Sequence, residues 1–261
     1  MSNSSESRSL GPAAGWRWFK TAVVATREQP FALMGITLFY MFSMGFLSIM
    51  PIVGAILSAL FMPFGTVFIG RATRDAIDQK APSFGILGSL WRCAFARKHL
   101  IYLGLAFGFV LITVNVVYSL LSADEMARWA LTENDRLDWK TVRENLPYDA
   151  ILVALAIYIP GLMATWFAPL LISEKNMTCV KAMFYSFFGC LRNLLPIFVL
   201  GGLLIGTTLG STLGMLFIID SFELASIEMY LLTPIAFLLT TIAYATYWPM
   251  YVALFGDVNK D

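Results

Sequence analysis

Residues 166–200 read WFAPLLISEKNMTCVKAMFYSFFGCLRNLLPIFVL. They hold one complete unit of a pattern that the rest of the chain repeats. An apolar segment arrives with a proline, Pro169, and a short polar break follows. An amphipathic aromatic segment then closes on Arg192 and Asn193, and a second apolar segment departs. A helix needs roughly 20 residues to cross the ~30 Å hydrocarbon core of a bilayer, so the two flanking segments read as membrane spans. This stretch decides the architecture and leaves the chemistry open.

Working outward from it, apolar runs of that length occur at about 31–50, 51–70, 100–121, 150–172, 194–218 and 229–255. Composition agrees: 58% of residues are hydrophobic and 13% are charged, against about a quarter charged in a soluble domain. Residues 31–70 contain no Asp, Glu, Lys, Arg or His. The expected fold is therefore all-α, a polytopic membrane helical bundle of about six transmembrane helices in three hairpins, with amphipathic interfacial helices on the cytoplasmic face. The first two spans are separated only by a Met50-Pro51 turn, and Pro51 suits the first position of a helix. A net charge of +1 with no concentrated basic face argues against nucleic acid as a partner.

The domain boundaries follow. Residues 1–13 read as a disordered cytoplasmic tail and 14–256 as a single membrane domain, in hairpin units of about 14–70, 83–172 and 177–256. An acidic periplasmic loop covers 122–148, and 257–261 form a second cytoplasmic tail. The N-terminal stretch has an early acid and no uninterrupted apolar core before Arg27, so it does not read as a cleavable signal peptide. Lys and Arg are retained on the cytoplasmic side. Arg17, Lys20 and Arg27, then Arg71, Arg74, Lys80, Arg92, Arg97 and Lys98, then Lys175, Lys181 and Arg192 all fall on one side; the opposite connections are acidic. Both termini are expected in the cytoplasm, which makes the glycosylation triplets at Asn3 and Asn176 chance matches.

Taken in pairs, the spans repeat. The second span of each pair carries an aromatic residue two positions before a proline: Phe61-Met62-Pro63, Phe167-Ala168-Pro169 and Tyr247-Trp248-Pro249. Pro63, Pro169 and Pro249 are expected to kink their helices. Ahead of each pair lies a short amphipathic stretch at 15–27, 84–98 or 180–192. In the first, Trp16, Phe19 and Val23 oppose Arg17, Lys20 and Arg27; in the second, Phe84, Leu87, Trp91 and Phe95 recur at helical spacing. These read as helices in the inner headgroup plane. The third is apolar nearly all round and could tuck into the bundle instead. The long loop at 122–148 is expected to form one or two short helices on the outer surface.

With the unit in view, the chain resembles a family of six-span proteobacterial inner-membrane proteins. More distantly it resembles the membrane domain attached to some glycerophosphoryl diester phosphodiesterases. The likeness rests on FAPLLISEKNMTCVKAMFYSFFGCLRNLLPIF and the paired-helix layout, and loosely covers about residues 15–255. It implies a bacterial inner membrane and carries over no catalytic residue.

Gly202, Gly206, Gly210 and Gly214 fall at every fourth position of the fifth span. Such a stripe lets two backbones approach closely in a solvent that offers no hydrophobic drive. Two partners fit it, a neighbouring helix of the same bundle, which is the preferred reading, or a second copy of the chain. No ionisable residue sits in the middle of any span, which disfavours proton- or sodium-coupled transport. Asn115, the deepest strongly polar side chain, is expected to bond a neighbouring helix. His99, the sole histidine, is expected to meet lipid phosphate. Cys93, Cys179 and Cys190 match no zinc spacing, so no metal, cofactor or catalytic residue is expected.

Among the basic interfacial residues, Arg97, Lys98 and Arg192 are the candidates for lipid headgroups, each such charge contributing about 1 kcal/mol. The expected function is non-enzymatic: assembly within the membrane, with lipids, further copies of the chain or other inner-membrane proteins as partners. The alternative is a permease or channel-like conduit for a lipid or small neutral solute. A cavity reaching midplane would favour the conduit, and a solid glycine-packed core the assembly protein.

Overall fold

A computed structural model describes residues 9–50, 53–132, 134–222 and 227–256, with the backbone alone at 53 and 55. The helices of the first unit are α1 (Ala13–Glu28), α2 (Pro30–Ser48) and α3 (Val53–Ile77). The second unit holds α4 (Gly85–Arg92), α5 (Ala94–Leu121), α6 (Ala123–Met126), α7 (Trp139–Glu144), α8 (Tyr148–Trp166) and α9 (Ala168–Lys175). The third holds α10 (Cys179–Arg192), α11 (Leu194–Ser221), α12 (Glu228–Ala245) and α13 (Tyr247–Phe255). Among the described residues, six helical stretches are long and apolar enough to cross a membrane: α2, Ile56–Ile77 of α3, α5, α8 with α9, α11, and α12 with α13. The protein is an all-α polytopic bundle. An even number of crossings brings residues 13 and 256 to one side, here called the terminal face. Pro51 and the 257–261 tail lie outside the described residues.

Each unit begins the same way. A short helix carries an arginine in its last turn, Arg27, Arg92 or Arg192, where a cation complements the partial negative charge of the helix C-terminus. A brief break follows, at Gln29, Cys93 or Asn193, and the span starts at once. The break at Cys93 corrects the expectation of one continuous helix over 84–98. Its ψ of 99° is extended, so Phe95, Arg97 and Lys98 belong to the first turns of span α5. A second correction concerns the N-terminal tail, of which 1–8 lie outside the described residues. Its end is fixed: the Leu10 N–H donates to Asn193 Oδ1 at 2.9 Å. Asn193, fully buried, also donates to Gly189 O at 2.9 Å.

The short helices sit deeper than a headgroup plane requires. In α1 the buried face is Ala14, Gly15, Trp18, Ala22 and Ala25, packed on α3, α11 and α12. A Cβ on Gly15 would come within 2.9 Å of Leu200 N. Trp16, expected on the apolar face, is exposed and stacks on Phe19 at 5.9 Å. In α10 the inward residues are the small ones, Ala182, Ser186, Gly189 and Cys190, against α8 and α9. Its large side chains Val180 and Phe184 face out.

α3 is the most buried span. It pairs with α2 and α5, and α5 pairs with α8. α2 also meets α12, which meets α11, whereas among the described residues no extended contact joins α8 to α11. Pro63 lacks the N–H that would bond the Ala59 carbonyl within α3. Gly104 of α5 approaches at that point, where a Cβ would lie 2.7 Å from Ala59 O.

The tightest packing lies near the terminal face, where the proline-bearing ends of the three units meet. Phe68, Phe167, Leu170, Leu171, Tyr251 and Leu254 are buried there. Polar links join the same three ends. Arg71 Nε lies 2.7 Å from Glu174 Oε1 and Arg74 3.5 Å from Glu174 Oε2. The Arg74 guanidinium lies 5.5 Å from the Trp248 ring centroid, and Lys175 donates to the Phe255 carbonyl. Arg71 and Arg74 are thus part of helix α3, not of a loop. Among its described residues, the loop at 122–148 holds two short helices, α6 and α7, and one Leu131–Leu137 bridge.

Candidate intramembrane binding cavity

The packing near the terminal face gives way, deeper in the bundle, to a cavity of about 400 Å³, within the ~300–1,000 Å³ range of small-molecule sites. Five of the six spans line it: α2 through Tyr40, α3 through Thr66, α8 through Thr165 and Trp166, α11 through Gly201 and Leu204, and the last span through Tyr244 and Tyr247. At 1.5 Å per residue, Tyr40 lies about 15 Å along α2 from Pro30, close to midplane. The lining includes no Asp, Glu, Lys, Arg or His.

Most polar groups of the lining are already satisfied. Thr66 donates to Met62 O at 3.0 Å, Thr165 to Gly161 O at 3.0 Å and Thr246 to Ala243 O at 2.7 Å. Tyr247 donates to the Trp166 carbonyl, one of the groups that the end of a helix leaves without an intrahelical partner. Two hydroxyls differ. Tyr40 and Tyr244 meet edge to face at 5.7 Å, and neither hydroxyl has a protein hydrogen-bond partner among the described residues. A polar atom without a partner in hydrocarbon costs several kcal/mol by rough estimate, so this pair is where a bound molecule's polar end gains most.

The wall beside Trp166 is built by Ser186. Phe167 N–H donates to Ser186 Oγ at 2.9 Å, and Ser186 Oγ donates to Met163 O at 2.7 Å. The hydroxyl is thus inserted into the bond that Phe167 would make four residues back, an established cause of helix kinks. Pro169 follows at the start of α9. Pro249 likewise sits at the start of α13, after a break at Thr246, whereas Pro63 lies inside the single helix α3.

The other residues singled out from the sequence lie elsewhere. Gly202, Gly206, Gly210 and Gly214 are exposed, and a Cβ at any of them would meet nothing within 4 Å. The preferred expectation of a neighbouring helix of the same chain on this stripe is corrected: α11 meets α12 and α1 through other faces. Arg97 donates to Trp91 O at 2.9 Å and lies 5.7 Å from that ring. Lys98 lies 5.8 Å from the Tyr102 ring, and Arg192 is exposed at the end of α10. His99 accepts the Cys179 N–H through Nδ1 at 3.3 Å, at the first turn of α10. Asn115 is exposed on α5 and bonds no neighbouring helix among the described residues.

Burial pushes the Cys190 thiol up to about 12 and also raises that of Cys179; Cys93 is exposed. Only a thiolate attacks an alkylating reagent. Cys190 should therefore resist maleimide at pH 8 in the folded protein and react once denatured. The unfolded chain releases this proton nearer the ordinary 9.0. The linked stability is present below pH 9.0 and is lost as pH rises toward about 12. Labelling of folded Cys190 at pH 8 at the rate of Cys93 would contradict the placement of α10.

Comparison with known proteins gives one informative similarity. The chain is 26% identical over 253 residues to a protein of Burkholderia thailandensis named a probable inner membrane protein, a match covering 93% of this chain and 91% of the relative. No family model matches. No solved structure matches either. The relative's name and the six apolar helices agree on an integral membrane protein.

Proposed function

We propose that this chain is a non-enzymatic membrane protein that binds a neutral amphiphile in its intramembrane cavity and serves as a conduit or carrier for it. The observation that carries the proposal is the cavity itself, apolar and uncharged, with two unpartnered tyrosine hydroxyls. Its apolar lining suits an apolar chain, and its polar pair suits one uncharged hydrogen-bonding end. The absence of a lining charge disfavours ions and charged solutes. The test is the lipid content of the protein released from nanodiscs, by native mass spectrometry, with and without the cavity filled by Gly201→Leu.

The surroundings belong to the same proposal: a bacterial inner membrane, both termini in the cytoplasm, and a distant kinship with the membrane domain of the phosphodiesterases. Cys93 tests the orientation, since Cys179 and Cys190 are buried. A membrane-impermeant maleimide is expected to label Cys93 in inverted vesicles and leave it unlabelled in intact spheroplasts. The reverse pattern would turn the topology over.

A second reading is supported by the glycine stripe, which faces out of the chain with open space over it: α11 pairs with α11 of a second copy. A Cβ at Gly206 meets nothing within 4 Å, and Gly206→Ile raises helix propensity by about 0.5 kcal/mol, so the monomer should stay folded. Oligomers, read by crosslinking in the membrane, should then fall to monomers. An unchanged oligomer would remove the stripe from assembly.

A further inference from the structure

Outside the bundle, α2, α3 and α4 enclose a second hollow of about 640 Å³, an aromatic groove lined by Phe39, Phe61, Phe64, Phe68 and Trp91 among others. Its walls α2 and α3 are spans, and Phe39, Phe61 and Trp91 are exposed along it, so bilayer lipid is the material such a groove would take. The groove and the central cavity share one lining residue, Tyr40. Neighbouring positions of α3 divide between them: Phe61, Phe64, Gly65 and Phe68 face the groove, whereas Met62, Thr66 and Ile69 face the cavity. Tyr40 is therefore the partition where the two hollows meet.

Gly65 makes this partition possible. A Cβ at residue 65 would overlap the edge of the Tyr40 ring, so the ring occupies space that a side chain on α3 would otherwise fill. Tyr244 meets the ring on the cavity side. No hydrogen bond from the Tyr40 hydroxyl holds the ring in place among the described residues. A ring seated against glycine and free of polar ties can turn about its side-chain torsions without breaking a bond.

We propose that Tyr40 is a lateral gate, through which an acyl chain of the surrounding bilayer passes from the aromatic groove into the central cavity. The inference rests on the amphiphile-binding reading above and adds the route and the source of the molecule: a membrane lipid, taken sideways from the bilayer and not from water. Gly88, on the groove wall, supplies an independent handle. Its Cβ would have only Arg92 near it, at 3.9 Å, so a large side chain there narrows the groove without disturbing the cavity.

The test places a photocrosslinking amino acid at Leu204, in the cavity, and reconstitutes the full chain in vesicles containing an alkyne-tagged diacylglycerol, an uncharged lipid with one hydroxyl end. Labelling is followed against time. Tyr40→Ala is expected to speed labelling by about tenfold, to a plateau lowered by loss of the hydroxyl, and Gly88→Trp to slow it by about tenfold, reaching the wild-type plateau. Tyr40→Phe should keep the wild-type rate but reach a lower plateau, because the ring closes the route while the hydroxyl serves binding. If Tyr40→Ala fails to fold, the Gly88→Trp comparison decides alone. Equal rates in wild type and the folded variants would overturn the gate while leaving the cavity site standing, with access then by the unpaired α8–α11 side. No labelling of Leu204 at any time would overturn the cavity site, and the gate with it.

Discussion

Ser186→Ala is expected to destabilise the protein by about 2–4 kcal/mol, a large effect for the loss of one oxygen atom. The hydroxyl serves two backbone groups at once, accepting from Phe167 N–H and donating to Met163 O, in a site with no solvent access. Each group left unsatisfied costs about 1–3 kcal/mol. Water is not at hand to replace the hydroxyl in a fully buried site. The chain has one way to recover, closing the Phe167–Met163 bond directly and straightening the junction of α8 and α9. That motion would carry Phe167 away from Tyr247 and Phe255, whose rings lie 5.7 and 5.6 Å from its own. It would also shift Glu174 from Arg71 and Arg74. The straightened form therefore gives up the contacts that join the three units. Thermal unfolding in mild detergent, followed by circular dichroism, reads the effect. A variant within about 0.5 kcal/mol of wild type, the scatter of a neutral surface change, would show that the kink is set by Pro169 alone.

What could be read from the sequence, and what could not, divides along a physical line. The six spans were legible because a bilayer demands an apolar run of set length, and the terminal-face arginines because interfacial cations follow a rule that does not depend on packing. The break at Cys93 was not legible, since the apolar positions Phe84, Leu87, Trp91 and Phe95 keep helical spacing across it. α10 was ambiguous because large apolar residues surround it. In lipid, apolarity no longer marks the inward face, and small residues do so instead, as Ala182, Ser186 and Gly189 do here. The same reasoning explains the stripe on α11: four-residue spacing identifies a smooth face and says nothing of what lies on it. Tyr40, Gly65 and Gly201 carried no signal at all, because an aromatic or a glycine in a membrane helix is ordinary until its neighbour is known.

That neighbour, or its absence, makes Gly201→Leu the most decisive functional variant. Gly201 lines the cavity, and a Cβ there meets nothing within 4 Å, so the four carbons of leucine can enter the void without moving a helix. Most cavity-blocking substitutions risk the fold through overpacking, at about 1–3 kcal/mol. This one also removes a helical glycine, a gain of about 0.8–1 kcal/mol in intrinsic propensity. It supplies atoms to a wall that has lost its dispersion partners. The expected result is a melting temperature equal to or above wild type, combined with at least a tenfold fall in retained amphiphile, or about 1.4 kcal/mol of binding. Stability and binding thus move in opposite directions, which simple damage to the protein cannot produce. If lipid retention were unchanged in a variant of undiminished stability, the cavity would be a packing defect and the outward glycine stripe would become the leading functional surface.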